Sequence, residues 1–220
     1  MSTLKDSFVA AQPQLSLKQR REWVEILIDF ETRNQYAIRG AGGEEVGTLA
    51  EEAGGLGRTL TRFLLRSHRP LEAAAVDRTG ALVLRLHRPF FWIFSDLNVE
   101  DAQGGRIGSV HRRFGILRRR YDLRDATGRT FARVSSPFFR IWTFPVRADD
   151  GREATIGKKW GGMLREVFAD ADTFGIDFAL GPWSPEERAV IFAAAASIDF
   201  DFFENNQGVG GVFDLASGWD

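Results

Sequence analysis

The sequence predicts an all-β fold with a central helix: a closed antiparallel β-barrel around a buried C-terminal α-helix. Two observations carry this expectation. The first is a turn signal of the form Asp-x-x-Gly that recurs every 24 residues, at Asp77–Gly80, Asp101–Gly104 and Asp125–Gly128. A shortened copy, Asp149-Asp150-Gly151, falls one step further along. In such a turn Asp accepts backbone hydrogen bonds and Gly supplies the positive φ that a tight hairpin needs. Regular turns between short, part-apolar runs mark a β-meander, in which each hairpin buries its face against the next. The second observation is the run Ala189 to Ile198, interrupted only by Ser197. A helix that is apolar on every side is buried on every side. At 1.5 Å per residue the run spans about 15 Å, roughly half a bilayer core. Its alanines let surrounding strands approach closely.

The elements follow in order. Residues 1–21 are polar and mixed, and read as a flexible or loosely helical lead. Trp23 to Phe30 opens the ordered domain, which is expected over 22–204. Asn34–Arg39 and Val46–Glu51 read as strands joined by the turn Gly40-Ala41-Gly42-Gly43, and Gly54-Gly55-Leu56-Gly57 as a loop. Around the repeated turns, strands are expected at Leu71–Val76, Leu82–Leu86, Leu97–Glu100, Ile107–Val110, Tyr121–Arg124, Phe131–Val134, Trp142–Val146 and Ala154–Gly157. Phe174, Ile176 and Phe178 alternate with Gly175 and Asp177, a half-buried strand. Ser184-Pro185-Glu186-Glu187 is a helix start: a capping hydroxyl, proline in the first turn, and carboxylates at the positive dipole end. The helix is expected near 185–203 and a tail over 205–220.

Composition narrows the function classes. A chain of 220 residues, 44% hydrophobic and 27% charged, is ordinary for one globular domain. The net charge of −1 gives no global electrostatic case for nucleic acid. With no cysteine, thiol nucleophiles, cysteine-ligated zinc, disulfides and S-acylation are excluded. No run reaches the ~18 apolar residues of a spanning helix, and the N-terminus lacks the pattern of a secretory signal. The expectation is an intracellular protein, soluble or peripheral at a membrane.

Several separated segments carry a family resemblance. Gly161 to Phe178, Ile198-Asp199-Phe200-Asp201-Phe202-Phe203-Glu204 and Phe30-Glu31-Thr32-Arg33-Asn34-Gln35-Tyr36 closely resemble the phospholipid scramblase family, and Arg69-Pro70 and Arg88-Pro89 also fit. The resemblance runs in order from about residue 22 to residue 204. It implies a tubby-like fold, a closed antiparallel barrel around a central C-terminal helix. It also implies ATP-independent movement of phospholipids between leaflets, switched by calcium, at the inner face of the plasma membrane.

Three segments are candidates for chemistry. The family resemblance implies an EF-hand-like calcium loop over Asp170 to Gly181. Calcium asks for six to eight oxygens, with carboxylates at loop positions 1, 3, often 5, and a bidentate one at 12. Asp170 and Asp172 fill positions 1 and 3, but position 5 is Phe174 and position 12 is Gly181. Calcium is therefore expected to bind weakly or not at all, with the two aspartates serving as a polar turn into the next strand. The second segment is aromatic. Phe90-Phe91-Trp92-Ile93-Phe94 and Phe138-Phe139-Arg140-Ile141-Trp142 lie between hairpins, where animal members of the family carry cysteines read as palmitoylation sites. Phe91, Trp92 and Phe94 either dip into lipid headgroups or pack in the barrel wall. The third is basic: His111, Arg112 and Arg113, then Arg118, Arg119 and Arg120, bracket an apolar Phe114-Gly115-Ile116-Leu117, with Lys158 and Lys159 in the next hairpin unit. Anionic lipid surfaces reward each basic residue by about 1 kcal/mol. An ordinary solvated surface is the competing reading.

No bond-making constellation stands out. His68, His87 and His111 lie singly, without metal-ligand spacing, and nucleophile-elbow and phosphate-loop motifs are absent. The reading is a non-enzymatic barrel that associates with anionic membrane phospholipids. A soluble interaction or regulatory module of the same fold, without lipid transport, is the rival.

Overall fold

The computed structural model describes residues 4–20, 32–52, 71–89, 96–113, 115, 118–137, 143–157, 173–178 and 181–202. Twelve strands run through them: β1 (Gln14–Gln19), β2 (Thr32–Arg39), β3 (Glu45–Glu52), β4 (Leu71–Asp77), β5 (Leu82–Arg88) and β6 (Asp96–Asp101). They continue with β7 (Arg106–Arg113), β8 (Arg118–Asp125), β9 (Thr130–Pro137), β10 (Thr143–Ala148), β11 (Glu153–Gly157) and β12 (Thr173–Asp177). Each pairs antiparallel with the next, and β1 closes the ring against β12. A short helix α1 (Phe8–Ala11) precedes β1, and α2 (Pro185–Phe202) follows β12.

The turns form for the reason their spacing suggests. One carboxylate oxygen of Asp125 accepts the amides of Thr127 at 2.9 Å and Arg129 at 3.1 Å, and Asp77 and Asp101 do the same in their own turns. Gly80, Gly104, Gly128 and Gly151 all adopt φ between 81° and 89°. The Thr79 and Thr127 hydroxyls hold the carboxyls of Asp77 and Asp125 below their usual range, against a weaker opposing effect of burial.

Alternation along each strand sends one face to the lumen. Leu15 and Leu17, Tyr36 and Ile38, Leu84 and Leu86, Leu97 and Val99, Phe144 and Val146, and Phe174 and Ile176 are all buried there. They surround α2, in which Ala189 to Ala196 and Ile198 are at most 1% exposed. The helix packs most closely on β6, β7, β8 and β12. Gly108 of β7 makes that approach possible: a Cβ there would clash with the Arg124 carbonyl oxygen and lie 2.8 Å from Val190 Cγ2. The helix start is a reciprocal cap. Ser184 Oγ accepts the Glu187 amide at 3.2 Å, and Glu187 accepts the Ser184 amide at 2.9 Å. Arg152 grips the same Glu187 through two bonds of 2.6 and 3.0 Å and lies 4.5 Å from the Trp183 ring.

Within the lead expected to be flexible or loosely helical, residues 4–20 hold α1 and β1 and pack onto the barrel. Phe8 and Val9 are buried, and Phe8 meets Phe192 edge-on at 6.1 Å. Arg188 donates to the carbonyls of Ala10 and Gln12 at 3.0 and 2.9 Å, tying this segment to α2. Leu15 and Leu17 then alternate with Ser16 and Lys18 to make β1, which covers edges of β2 and β12 that would otherwise lie open. The expected segment Trp23–Phe30 lies outside the described residues. Most of the remaining strands match their expected positions but run further. β5 extends to Arg88 and β8 begins at Arg118, because charged side chains at a strand end do not interrupt the backbone ladder.

An up-and-down barrel has two distinct ends. At one lie the tight turns after β2, β4, β6, β8 and β10, together with α1 and the start of α2. At the other, the strands are joined by residues 20–31, 53–70, 89–95, 114–117, 138–142 and 158–172. The C-terminal part of α2 reaches this second end, where Phe200 packs edge-on against Tyr36 at 5.5 Å.

Candidate functional site

The basic cluster sits on β7 and β8, at the end of the barrel opposite the tight turns. The ladder pairs His111 with Asp122, Arg112 with Tyr121 and Arg113 with Arg120. Alternation then divides the cluster in two. Arg112 and Arg119 lie in phase with the buried Val110, Tyr121 and Leu123, and so face the lumen. Arg113, Arg118 and Arg120 lie in the opposite phase and are exposed.

The two sets have different surroundings. The Arg119 guanidinium lies 5.9 Å from the centre of the Phe144 ring, opposite Ser136 of β9. Burial lowers its pKa, Tyr121 opposes this, and the like charge of Arg112 adds to it. These two arginines belong to a charged layer inside the barrel mouth, which also holds Glu51 and Arg88, 2% and 3% exposed. Sequence reading did not single out Glu51 or Arg88 as buried charges. The signal was available for Arg88, which is in phase with Leu84 and Leu86.

The outward set is a patch of like charge. Arg113 and Arg120 stand directly opposite one another, an arrangement that destabilises a sheet. Arg120 faces Ser135 on its other side, and Arg118 faces Pro137. Only Arg113 has a carboxylate among its described partners, Asp122 at 3.6 Å. Three arginines elsewhere on the outer wall, by contrast, stand against carboxylates. Arg133 meets Asp149 at 2.6 Å, Arg147 meets Glu153 at 2.9 Å, and Arg85 stands opposite Glu100. His111 pairs with Asp96 beside the patch.

The other expected site residues, Phe91, Trp92, Phe94, Lys158, Lys159, Asp170 and Asp172, lie outside the described residues. Their place in the chain puts them in connections between strand ends that meet at this same end of the barrel: β5 to β6 for the aromatics, β11 to β12 for the lysines and aspartates. The residues that follow Asp172 do not fit an EF-hand-like loop. Thr173 to Asp177, which would be loop positions 4 to 8, form β12, paired along its length with β1 and over Gly175 to Asp177 with β11 as well. Phe174 and Ile176 point into the core. An extended strand held in a ladder cannot wrap a cation. Among the described residues no group of three or more His, Cys, Asp or Glu side chains is placed to hold a metal.

A model of the scramblase family matches residues 3–205. The chain belongs to the scramblase family. Among curated relatives of this scramblase-family chain, the altered inheritance rate of mitochondria protein 25 of Saccharomyces cerevisiae is 24% identical, over 95% of this chain and 76% of its own length. A phospholipid scramblase family protein of Schizosaccharomyces pombe is 28% identical, over 90% of this chain and 61% of its own. Human phospholipid scramblase 1 is 28% identical, over 87% and 63%. No solved structure matches. The closed barrel around a central helix is the architecture the sequence predicted. Among the described residues no helix is long and apolar enough to cross a membrane.

Proposed function

We propose that this scramblase-family chain binds anionic membrane phospholipids peripherally, at the cytoplasmic face of the plasma membrane, and moves phospholipid between leaflets without ATP. The observation that supports binding is the outward patch Arg113, Arg118 and Arg120. Its like charges oppose each other across the ladder at a cost to the fold, which a negatively charged surface would offset. The cytoplasmic leaflet carries the anionic lipid that such a patch suits. The names of the relatives support the lipid-moving part. Filling of the lumen by α2 bears on the route: lipid passes along the outside of the barrel, not through it. The chemistry is binding and transport, with no bond made or broken. The aromatics Phe91, Trp92 and Phe94 and the lysines Lys158 and Lys159 are assigned to the same lipid contact.

The test is reconstitution into vesicles that carry a fluorescent phospholipid in both leaflets, with a chelator present and no nucleotide. A membrane-impermeant quencher should reach label that began in the inner leaflet. Quenching confined to the outer leaflet, with the protein bound, would remove lipid movement from the proposal.

A further inference from the structure

The barrel's two ends differ in charge as well as in connection, and this asymmetry bears on how the chain meets a surface. The tight-turn end carries Glu44, Asp77, Asp101, Asp125, Asp149, Asp150 and Glu186 against Arg78, Arg106, Arg129 and Arg152, an excess of carboxylates. Most of these carboxylates are committed to their own turns or to neighbouring arginines. The opposite end carries the exposed Arg113, Arg118 and Arg120. We infer that the barrel docks end-on to an anionic lipid bilayer, with the Arg113–Arg118–Arg120 end against the lipid and the tight turns pointing away. This orientation rests on the phospholipid-binding reading above and extends it.

Distance decides between end-on and side-on docking. Strands of eight residues such as β7 and β8 are about 26 Å long at ~3.3 Å per residue. At a barrel tilt of about 40° the two ends are separated by roughly 20 Å along the axis. Screening at physiological salt falls off over about 8 Å. End-on, the tight turns lie about 20 Å further from the lipid than the arginines, more than two screening lengths. Side-on, both ends come within range, and the excess of carboxylates at the turns opposes the attraction of the arginines. The outer wall adds no net attraction, since Arg85, Arg133 and Arg147 already stand against carboxylates.

The experiment is co-flotation with phosphatidylcholine vesicles containing phosphatidylserine, comparing two double variants that change net charge equally. Arg118→Gln/Arg120→Gln should weaken partitioning about 30-fold, from ~1 kcal/mol per basic residue at the surface. Arg78→Gln/Arg106→Gln, at the tight-turn end, should change it by less than about twofold, because its residues lie beyond the screening length. The chain has no cysteine, so single labels can be introduced. An environment-sensitive fluorophore at Ser135→Cys, opposite Arg120, should shift to the blue on binding, and one at Gln103→Cys should not. Equal loss in the two double variants, or a blue shift at residue 103, overturns end-on docking while leaving lipid binding intact. Failure of the unmodified chain to float with these vesicles overturns both.

Discussion

Replacing Gly108 with alanine tests whether α2 fills the barrel. The backbone of Gly108 lies outside the positive-φ region. On chain entropy alone, alanine there should stabilise by about 0.4–1 kcal/mol. Sterics oppose this. The added Cβ would overlap the Arg124 carbonyl oxygen, which is fixed in the β7–β8 ladder, and lie 2.8 Å from Val190 Cγ2 on the helix. Neither neighbour is a flexible side-chain end, so the strand or the helix must shift. Overpacking of this kind costs about 1–3 kcal/mol, and it outweighs the entropic gain. The net loss of about 1–2 kcal/mol should lower Tm by roughly 2–8 °C at ~2–4 °C per kcal/mol for a domain of this size. Thermal melting with denaturant titration measures it, and Val190→Ala completes a double-mutant cycle. The two changes should couple by at least about 0.5 kcal/mol, since they share a contact. A Gly108→Ala variant as stable as the parent, or strict additivity with Val190→Ala, would mean that the helix does not rest on β7.

Ala194→Arg should abolish soluble, cooperative folding. Ala194 is fully buried, and an unpaired buried charge costs several kcal/mol against a total of about 5–15; a cooperatively melting variant would refute the central helix. Calorimetric titration should find no low-micromolar calcium site, and Asp170→Ala should change nothing; a tight site lost in that variant would refute the reading of β12 as a strand that cannot wrap a cation. Asp77 and Asp125 have folded pKa values held below the usual 3.8. Their contribution is therefore complete above that value and lost as pH falls below it through the folded values. Asp125→Asn should lower stability at neutral pH and flatten the acid limb of a denaturation profile, and an unchanged acid limb would remove the turn carboxylate from the account.

Much of this barrel was legible because its signals are local. Each Asp-x-x-Gly turn closes within five residues, and the apolar run of α2 states its burial by composition alone. β1 was missed because only Leu15 and Leu17 mark it, and its partners Ile38 and Ile176 are far away in sequence. Closure of a barrel is a long-range fact. The candidate site was legible as a run of arginines but not as a geometry. Adjacent arginines on a strand point opposite ways, so Arg112 and Arg113, one residue apart, end up facing the lumen and the outside respectively. The opposition of Arg113 and Arg120 depends on ladder register, which the connecting residues 114–117 do not announce.

Binding to anionic lipid is best checked by co-flotation of the purified chain with vesicles of phosphatidylcholine, with and without phosphatidylserine. Binding should appear only where phosphatidylserine is present, unaffected by a calcium chelator and weakened as salt shortens the screening length from about 8 Å towards 3 Å. Equal recovery with neutral and anionic vesicles, or binding that appears only when calcium is added, would contradict this expectation.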